Sequence, residues 1–452
     1  MSTLNIRRTS EESRDRHHKA IRYRAHPNSE QEVLFAKTVG CKRKVWNLML
    51  EDRKKAWETE RKNFMPTPAM YKEKYPYLKE VDSLALANTQ LELMTAFSNF
   101  LNNPKKFGHP KFKSKHKEKR SYTTNNQNRN RHDQSTGTIR VGDSSVKLPK
   151  IGYVKIDKHR NIPDEWLNPE LKSATFSQEC DGTYYISVLY EYDLASERNA
   201  IQKPNFENVI GLDYKSDGLF CDSNGHFADM PKHFRMSEKK LAKLQRKLSR
   251  KKGSHKNENK SNNYMKQQKK VNRLHQHIAN QRLDHHHKLS KEIANLYDIV
   301  CIEDLNMKAI SNKKGHLGKS TMDNAWGLFT RLLDYKLKDS GKILLRIDKF
   351  FPSSQICSCC GHRQKLALNE RTYKCTHCGM ILDRDFNAAI NIRNEGLNVL
   401  RSAEIGQTCT TAGTVGSYAC GDDVRHQSVE SQLSSEKVLS SGSRKLGVSH
   451  PE

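Results

Sequence analysis

At 452 residues the chain is about two to three times the length of a typical domain, enough for several folding units with a core each. Lysine plus arginine total 79 against 51 aspartate plus glutamate, a net charge of +28 with a pI near 9.6; a small-molecule enzyme rarely needs that surplus, and nucleic acid is the polyanion that would neutralise it. The apolar fraction of 35% with mean hydropathy −0.86 excludes one large apolar globule, no apolar run is long enough to span a bilayer, and the charged start MSTLNIRRTSEESRDRHH has no secretory apolar region, so a reducing compartment is expected.

In chain order, KAIRYRAHP (19–27) alternates and ends at Pro27, which predicts a strand. Ser29 with Glu32 three residues on has the pattern of a capping box, and helical spacing follows from Glu30 to Trp57. A helical region is expected to reach about residue 100, interrupted over 62–77 by Pro66, Pro68 and Pro76. From Lys105 to Arg120 there are eight basic residues and one acid, interleaved with Phe107 and Phe112; this suits a phosphate backbone with occasional stacking, although a basic run is more often just a solvated face. A polar loop (TTNNQNRNRHDQSTG) and then two alternating stretches, TIRVGDSSVKLPKIGYVKI and GTYYISVLYEYD, predict a small β unit before a linker at 196–208.

The composition changes at Val209. Strands VIGLD and LFCD come first, then a stretch from Arg235 to Arg273 with fifteen Lys/Arg against Glu238 and Glu258, a pair of long helices facing either phosphates or solvent. DIVCIEDL (298–305) is another strand, MDNAWGLFTRLLDYKLKDSG an amphipathic helix stopped by Gly341, and ILLRIDKFF a further strand. Beyond about Leu400 the chain is rich in Ser, Thr and Gly with few aromatics, which predicts a disordered tail.

Two groups carry chemistry. Cys357-x-x-Cys360-Gly361 and Cys375-x-x-Cys378-Gly379, fourteen residues apart, have the spacing of a closed four-thiolate zinc site, with Cys359 a competitor inside the first knuckle. Such a site leaves no position for water, so it is structural. Asp213 ends VIGLD, Glu303 ends IVCIE, and Asp383 and Asp385 lie in DRDFNAAINI at a helix start. An acid after a strand is commonly a cap or turn former. Two apolar strands that each deliver an acid at the carboxyl end, where open α/β sheets place their sites, point instead to hard oxygen ligands for Mg²⁺ or Mn²⁺ and to phosphodiester hydrolysis by two metals.

The order GLDYKSDGL, IEDLNM, PSSQICSCCG with a second CxxCG, and DRDFNAAINI closely resembles the transposon-encoded TnpB (OrfB-type) nucleases, relatives of the compact type V CRISPR effectors. KAIRYRAHPNSEQEVLFAKTVGCKRKVWN and FGHPKFKSKHKEKRSYTTNN extend the resemblance, so it covers roughly residues 19 to 395. It implies RNA-guided cleavage of DNA, with a guide RNA from the transposon end and target DNA as partners, in the cytoplasm of a prokaryote in association with the nucleoid. Asp213, Glu303 and Asp385 match the family's metal-binding acids, Asp385 being preferred because it stands two before the asparagine of D-x-N-A-A, with Asp383 in reserve.

The fold class expected is α/β with all-β and helical parts. A RuvC-like, ribonuclease H-fold nuclease domain (208–349 and 381–398) would hold the zinc ribbon (350–380) as an insertion. The N-terminal half would comprise a first segment and strand (1–29), a helical recognition domain (30–115) and a wedge β-barrel (116–200), with the tail at 399–452. Three rivals share some of these features: a DDE-type transposase, a nucleic-acid-binding regulator whose zinc and acids are only structural, and a basic ribosome-associated zinc-ribbon protein. The order Asp, Glu, ribbon, Asp favours the RuvC arrangement over the first, and the acid trio is unexplained by the last.

Overall fold

The computed structural model describes residues 17–61, 63–115, 119–128, 136–164, 166–194, 204–251, 261–311, 318–367 and 370–405. The first strand, β1 (His17–His26), buries Ile21, Tyr23 and Ala25 on one face, as its alternation predicts. Helix α1 (Ser29–Glu60) follows, uninterrupted for 32 residues. Its capping box lies one residue earlier than expected: Asn28 accepts from the backbone of Gln31 at 2.8 Å, and the Gln31 side chain accepts from Asn28 N at 3.0 Å. Ser29 is therefore the first helical residue. The proline-rich stretch forms two short 3₁₀ turns (Pro68–Tyr71 and Pro76–Lys79) before α2 (Ser83–Asn102), and Leu50, Leu78, Leu86 and Leu93 meet in a shared core.

The β unit is larger than expected. Strands β2 (Arg120–Asn125), β3 (Arg140–Val141), β4 (Ser145–Leu148), β5 (Gly152–Asp157), β6 (Trp166–Gln178) and β7 (Tyr184–Leu194) join β1 in a seven-stranded antiparallel sheet, order β2-β6-β7-β1-β5-β4-β3. The expected barrel is an open half-barrel. Its two ends approach at one corner, where Thr138 N donates to Gln127 O at 3.2 Å and Ile139 N to Asn126 Oδ1 at 2.9 Å. Phe35 of α1 fills the concave side, 4.8 Å from the ring of Phe176 and 5.3 Å from that of Tyr184.

The second sheet is mixed, with β8 (Val209–Tyr214), β9 (Phe220–Asp222), β10 (Phe227–Ala228), β11 (Ile299–Glu303) and β12 (Ile343–Ile347) in the order β10-β9-β8-β11-β12. The first three run antiparallel in turn, whereas β8, β11 and β12 are mutually parallel. Between β10 and β11 come α3 (His233–Ser249) and α4 (Asn262–Leu296), the two basic helices; Leu241, Val271, Leu274 and Ile278 give them a small core of their own, and their lysines and arginines are exposed except Arg282, which reaches in to the buried Asp323 at 3.3 Å.

The helix expected over 322–341 is broken. After the short α5 (Met307–Ile310), α6 (Gly318–Asn324) ends at Ala325, whose φ of 46° is left-handed, and α7 (Trp326–Asp339) starts anew. The buried Asn324 explains the break: its amide donates to the carbonyls of Lys215 and Ser216 at 3.0 and 3.1 Å, which pins the end of α6 to the loop after β8. Two short strands, β13 (Thr372–Lys374) and β14 (Ile381–Asp383), precede the last helix, α8 (Arg384–Ile405), which runs past the expected boundary at 398. The tail from 406 onward lies outside the described residues.

Candidate metal centre

Parallel pairing of β8 with β11, Leu212 opposite Ile302, brings Asp213 and Glu303 to the same end of adjacent strands. Helix α8 lies across these strands and places Asp385 in its first turn. Close approach is possible because Gly211 lacks a side chain: a Cβ there would stand 2.7 Å from Arg393 N and 2.9 Å from Arg393 Cβ, with the Ala389 carbonyl nearer still. Further along the helix Gly396 rests in the same way against Cys301 of β11.

The electrostatics report the convergence. Burial first, then the carboxylates of Glu303 and Asp385, hold Asp213 well above the usual carboxylate range. Beside Asp213 on β9, the Cys221 thiol is pushed up to about 12, by burial and then by Asp213, Asp383, Asp222 and Asp385. Burial also raises Glu303, opposed by the hydroxyl of Ser353, which donates to Glu303 Oε1 at 2.5 Å. Asp385 is 9% exposed and faces cations, with Lys215 Nζ at 3.5 Å, Arg384 Nε at 3.9 Å and Arg371 Nη1 at 4.0 Å. Asp383 instead caps α8, its Oδ1 accepting from the backbone of Asp385 at 2.8 Å and of Phe386 at 3.2 Å.

Two side chains of α8 fasten the loop that carries Ser353. Asn391 donates to Ser353 O at 2.8 Å and Ile356 O at 2.7 Å; Asn387 donates to Ile356 O at 2.7 Å and accepts from Ser358 N at 2.9 Å. One helix thus carries Asp385 and fixes the serine that orients Glu303. Sequence reasoning missed Ser353, Asn387, Asn391 and Gly211. The i, i+4 asparagines and a glycine inside an apolar strand were the available signals.

In the zinc-ribbon segment, one sulfur each from Cys357, Cys360, Cys375 and Cys378 lies within 4.8 Å of the others, and among the described residues this is the one His/Cys/Asp/Glu group so tightly gathered. The three acids are spread more widely. Cys359 is exposed and outside the cluster. Each knuckle turns at a left-handed glycine, Gly361 (φ 74°) or Gly379 (φ 73°), whose N–H donates back to the first cysteine's carbonyl. The N–H groups of His377 and Cys378 point at Cys375 Sγ, 3.4 and 3.5 Å away, and with the other thiols lower its pKa to about 6. That donor set fits a thiophilic ion. Tyr373, fully buried, supplies most of the ribbon's own core with Leu366 and Met380.

The basic segment 105–120 is partly committed to structure. Trp46 Nε1 donates to Lys111 O at 3.0 Å, and Asn47 brackets Lys113 with bonds of 3.0 and 2.8 Å, so residues 111–113 lie along α1. Glu92 pairs with Lys42 at 2.5 Å and Lys113 at 3.3 Å. Phe112 stays 53% exposed with Lys54 over its ring at 5.0 Å.

Three family models match the chain: "Probable transposase" over residues 187–314, "Cas12f1-like, TNB domain" over 326–392 and "Helix-turn-helix domain" over 17–62. The last name does not describe the structure, in which 17–61 is one strand and one unbroken helix. A "Putative RNA-guided DNA endonuclease" of Streptomyces pristinaespiralis is 32% identical over 93% of this chain and 95% of its own length. "Putative RNA-guided DNA endonuclease InsQ" of Escherichia coli K12 is 28% identical over 86% and 95%. A cryo-EM structure of a Cas12f1–sgRNA–target DNA complex covers 84% of this chain and 99% of its own at 13% identity, with a TM-score of 0.51, which shows a common fold. Among the described residues no helix is long and apolar enough to cross a membrane.

Proposed function

The chain belongs to the TnpB (OrfB-type) family, related to the type V effectors, and from that premise we propose that it is an RNA-guided DNA endonuclease whose hydrolytic site is Asp213, Glu303 and Asp385. The observation that carries the proposal is the delivery of three acids to one place by two parallel strands and one helix, with Asp213 burdened by the other two. Carboxylates so placed repel one another and call for divalent cations. Magnesium or manganese ions held by these oxygens would supply an activated water and neutralise the leaving 3′-oxygen.

The protein's own part is geometry. Ser353 orients Glu303, Gly211 lets Asp385 come down onto the sheet, and the cap at Asp383 fixes the helix end. A sheet of order β10-β9-β8-β11-β12, with the ribbon falling between the second and third acids, supports a RuvC-like, ribonuclease H-type domain over 208–349 and 381–398. Cys357, Cys360, Cys375 and Cys378 would hold a structural Zn²⁺, the ribbon's tiny core needing such a staple. The half-barrel and α1–α2 correspond to the wedge and recognition parts, and the basic outer faces suit a guide RNA transcribed from the transposon end and target DNA. The reading places the protein in a prokaryotic cytoplasm, at the nucleoid.

The test is to purify the protein expressed from its native locus, sequence the RNA that accompanies it, reprogram that RNA, and assay matched and unmatched DNA with Mg²⁺. Matched DNA should be cut, and Asp213→Ala should abolish cutting while RNA binding persists. A purely structural regulator would bind equally well and cut in neither form.

A further inference from the structure

The three antiparallel strands place one more side chain in line with the acids. Asp213 of β8 is paired with Cys221 of β9, and Cys221 with Phe227 of β10. Directly opposed residues in an antiparallel sheet point to the same face, so Phe227 stands on the acid-bearing face two strands away, about 10 Å at the usual ~4.8 Å spacing. It is on the edge strand and 46% exposed, unusual for a phenylalanine whose neighbours Leu219 and Phe220 are buried. Between Phe227 and the acids sits Lys215, its Nζ 4.4 Å from the ring centroid and 3.5 Å from Asp385 Oδ2. The order along the surface is exposed ring, ammonium, carboxylates.

That order matches one nucleotide step. We propose that Phe227 is the stacking platform for the unpaired base next to the phosphodiester held at Asp213, Glu303 and Asp385, and that Lys215 contacts the intervening phosphate; the inference rests on the endonuclease reading. A ring face accepts any base, so the site would be indifferent to sequence, as a guided enzyme needs. A base still in a duplex presents no free face to the ring. The platform therefore selects an unstacked strand, and Phe227 is a positioning residue for the strand being cut.

An abasic scan tests it. The RNA-loaded protein is given matched DNA with a single abasic nucleotide moved through the positions around the cut, and the same series is run with Phe227→Ala and Phe227→Trp. One abasic position should slow the wild type about 5- to 150-fold, the range for loss of one base–aromatic stack. Phe227→Ala should show a loss of that size on intact DNA and no further loss at that position, whereas Phe227→Trp should behave as wild type. A second readout needs no cutting: in the Asp213→Ala complex, 2-aminopurine at that position should be quenched with Phe227 present and bright with alanine. Losses that multiply, or fluorescence indifferent to residue 227, would overturn the platform. Failure of the wild type to cut any DNA would overturn the endonuclease reading instead, and the fluorescence would then decide the stacking by itself.

Discussion

Replacing Gly211 with alanine perturbs the candidate site without touching an acid. The added Cβ would meet Arg393 N at 2.7 Å and Arg393 Cβ at 2.9 Å, and the Ala389 carbonyl more closely, whereas ordinary contact begins near 3.4 Å. Those atoms belong to the helix backbone or its root and cannot swing aside, so α8 must lift by at least 3.4 − 2.7 = 0.7 Å. Overpacking of this kind costs about 1–3 kcal/mol. A displacement near 1 Å at a catalytic group costs about a hundredfold in rate. Guanidinium unfolding followed by circular dichroism should show the stability loss, and cleavage of guide-matched DNA under single-turnover conditions the slower rate. At Gly396 the obstacle is mainly the side chain of Cys301, so Gly396→Ala should be rescued by Cys301→Ala, while no small side-chain change rescues Gly211→Ala. Cutting by Gly211→Ala at the wild-type rate would show that the distance between α8 and the sheet does not set the site.

Single alanines at Asp213, Glu303 or Asp385 should each remove cleavage, whereas Asp383→Ala should cost about 1 kcal/mol as a lost cap and leave the cleavage products unchanged; an inactive, fully folded Asp383→Ala protein would move Asp383 into the site. Cys375→Ser, or a chelator, should release about one zinc per chain by atomic absorption and make the 353–380 segment sensitive to protease, with Cys359→Ser unaffected. His286, fully buried against Phe329 at 5.8 Å, is lowered to about 4, chiefly by burial. Its unfolded form titrates near 6.5, so the unfolded chain binds the extra proton between 6.5 and 4 and stability falls as pH falls through that window, by up to about 3 kcal/mol. In His286→Leu that part of the pH dependence should vanish from the melting curves; an unchanged slope would show that other groups cause it.

The residues that carry chemistry are legible because each stands at a punctuation mark: an apolar strand that ends in an acid, two CxxCG turns, an acid at a helix start. Spatial convergence is not. It depends on Gly211 and Gly396, whose role shows only when helix and strand are in contact. Strand β6 escapes the alternation test because Pro169 and Asn168 (φ 48°) interrupt it; the chain absorbs both where the register with β7 shifts between Leu167 and Glu170. The break at Ala325 has no local signature either, since it is imposed by the distant carbonyls that hold Asn324. The cap of α1 lies one position from the expected one because Asn28–Gln31 and Ser29–Glu32 satisfy the same rule side by side.

Asp383 is at once the final residue of the ribbon's hairpin and the cap of the helix that begins at Arg384. No linker separates the two, so the cysteine-bearing module cannot be swapped as a cassette between proteins without also re-aiming Asp385. The stretch between the two knuckles is tied to the same joint, Thr372 lying opposite Asp383 and Arg384 N donating to Arg371 O at 2.8 Å, so length changes on either arm of the hairpin would be penalised. Redesign for a smaller enzyme should therefore keep Arg371–Lys374 together with Asp383–Asp385 and look for its savings elsewhere in the chain.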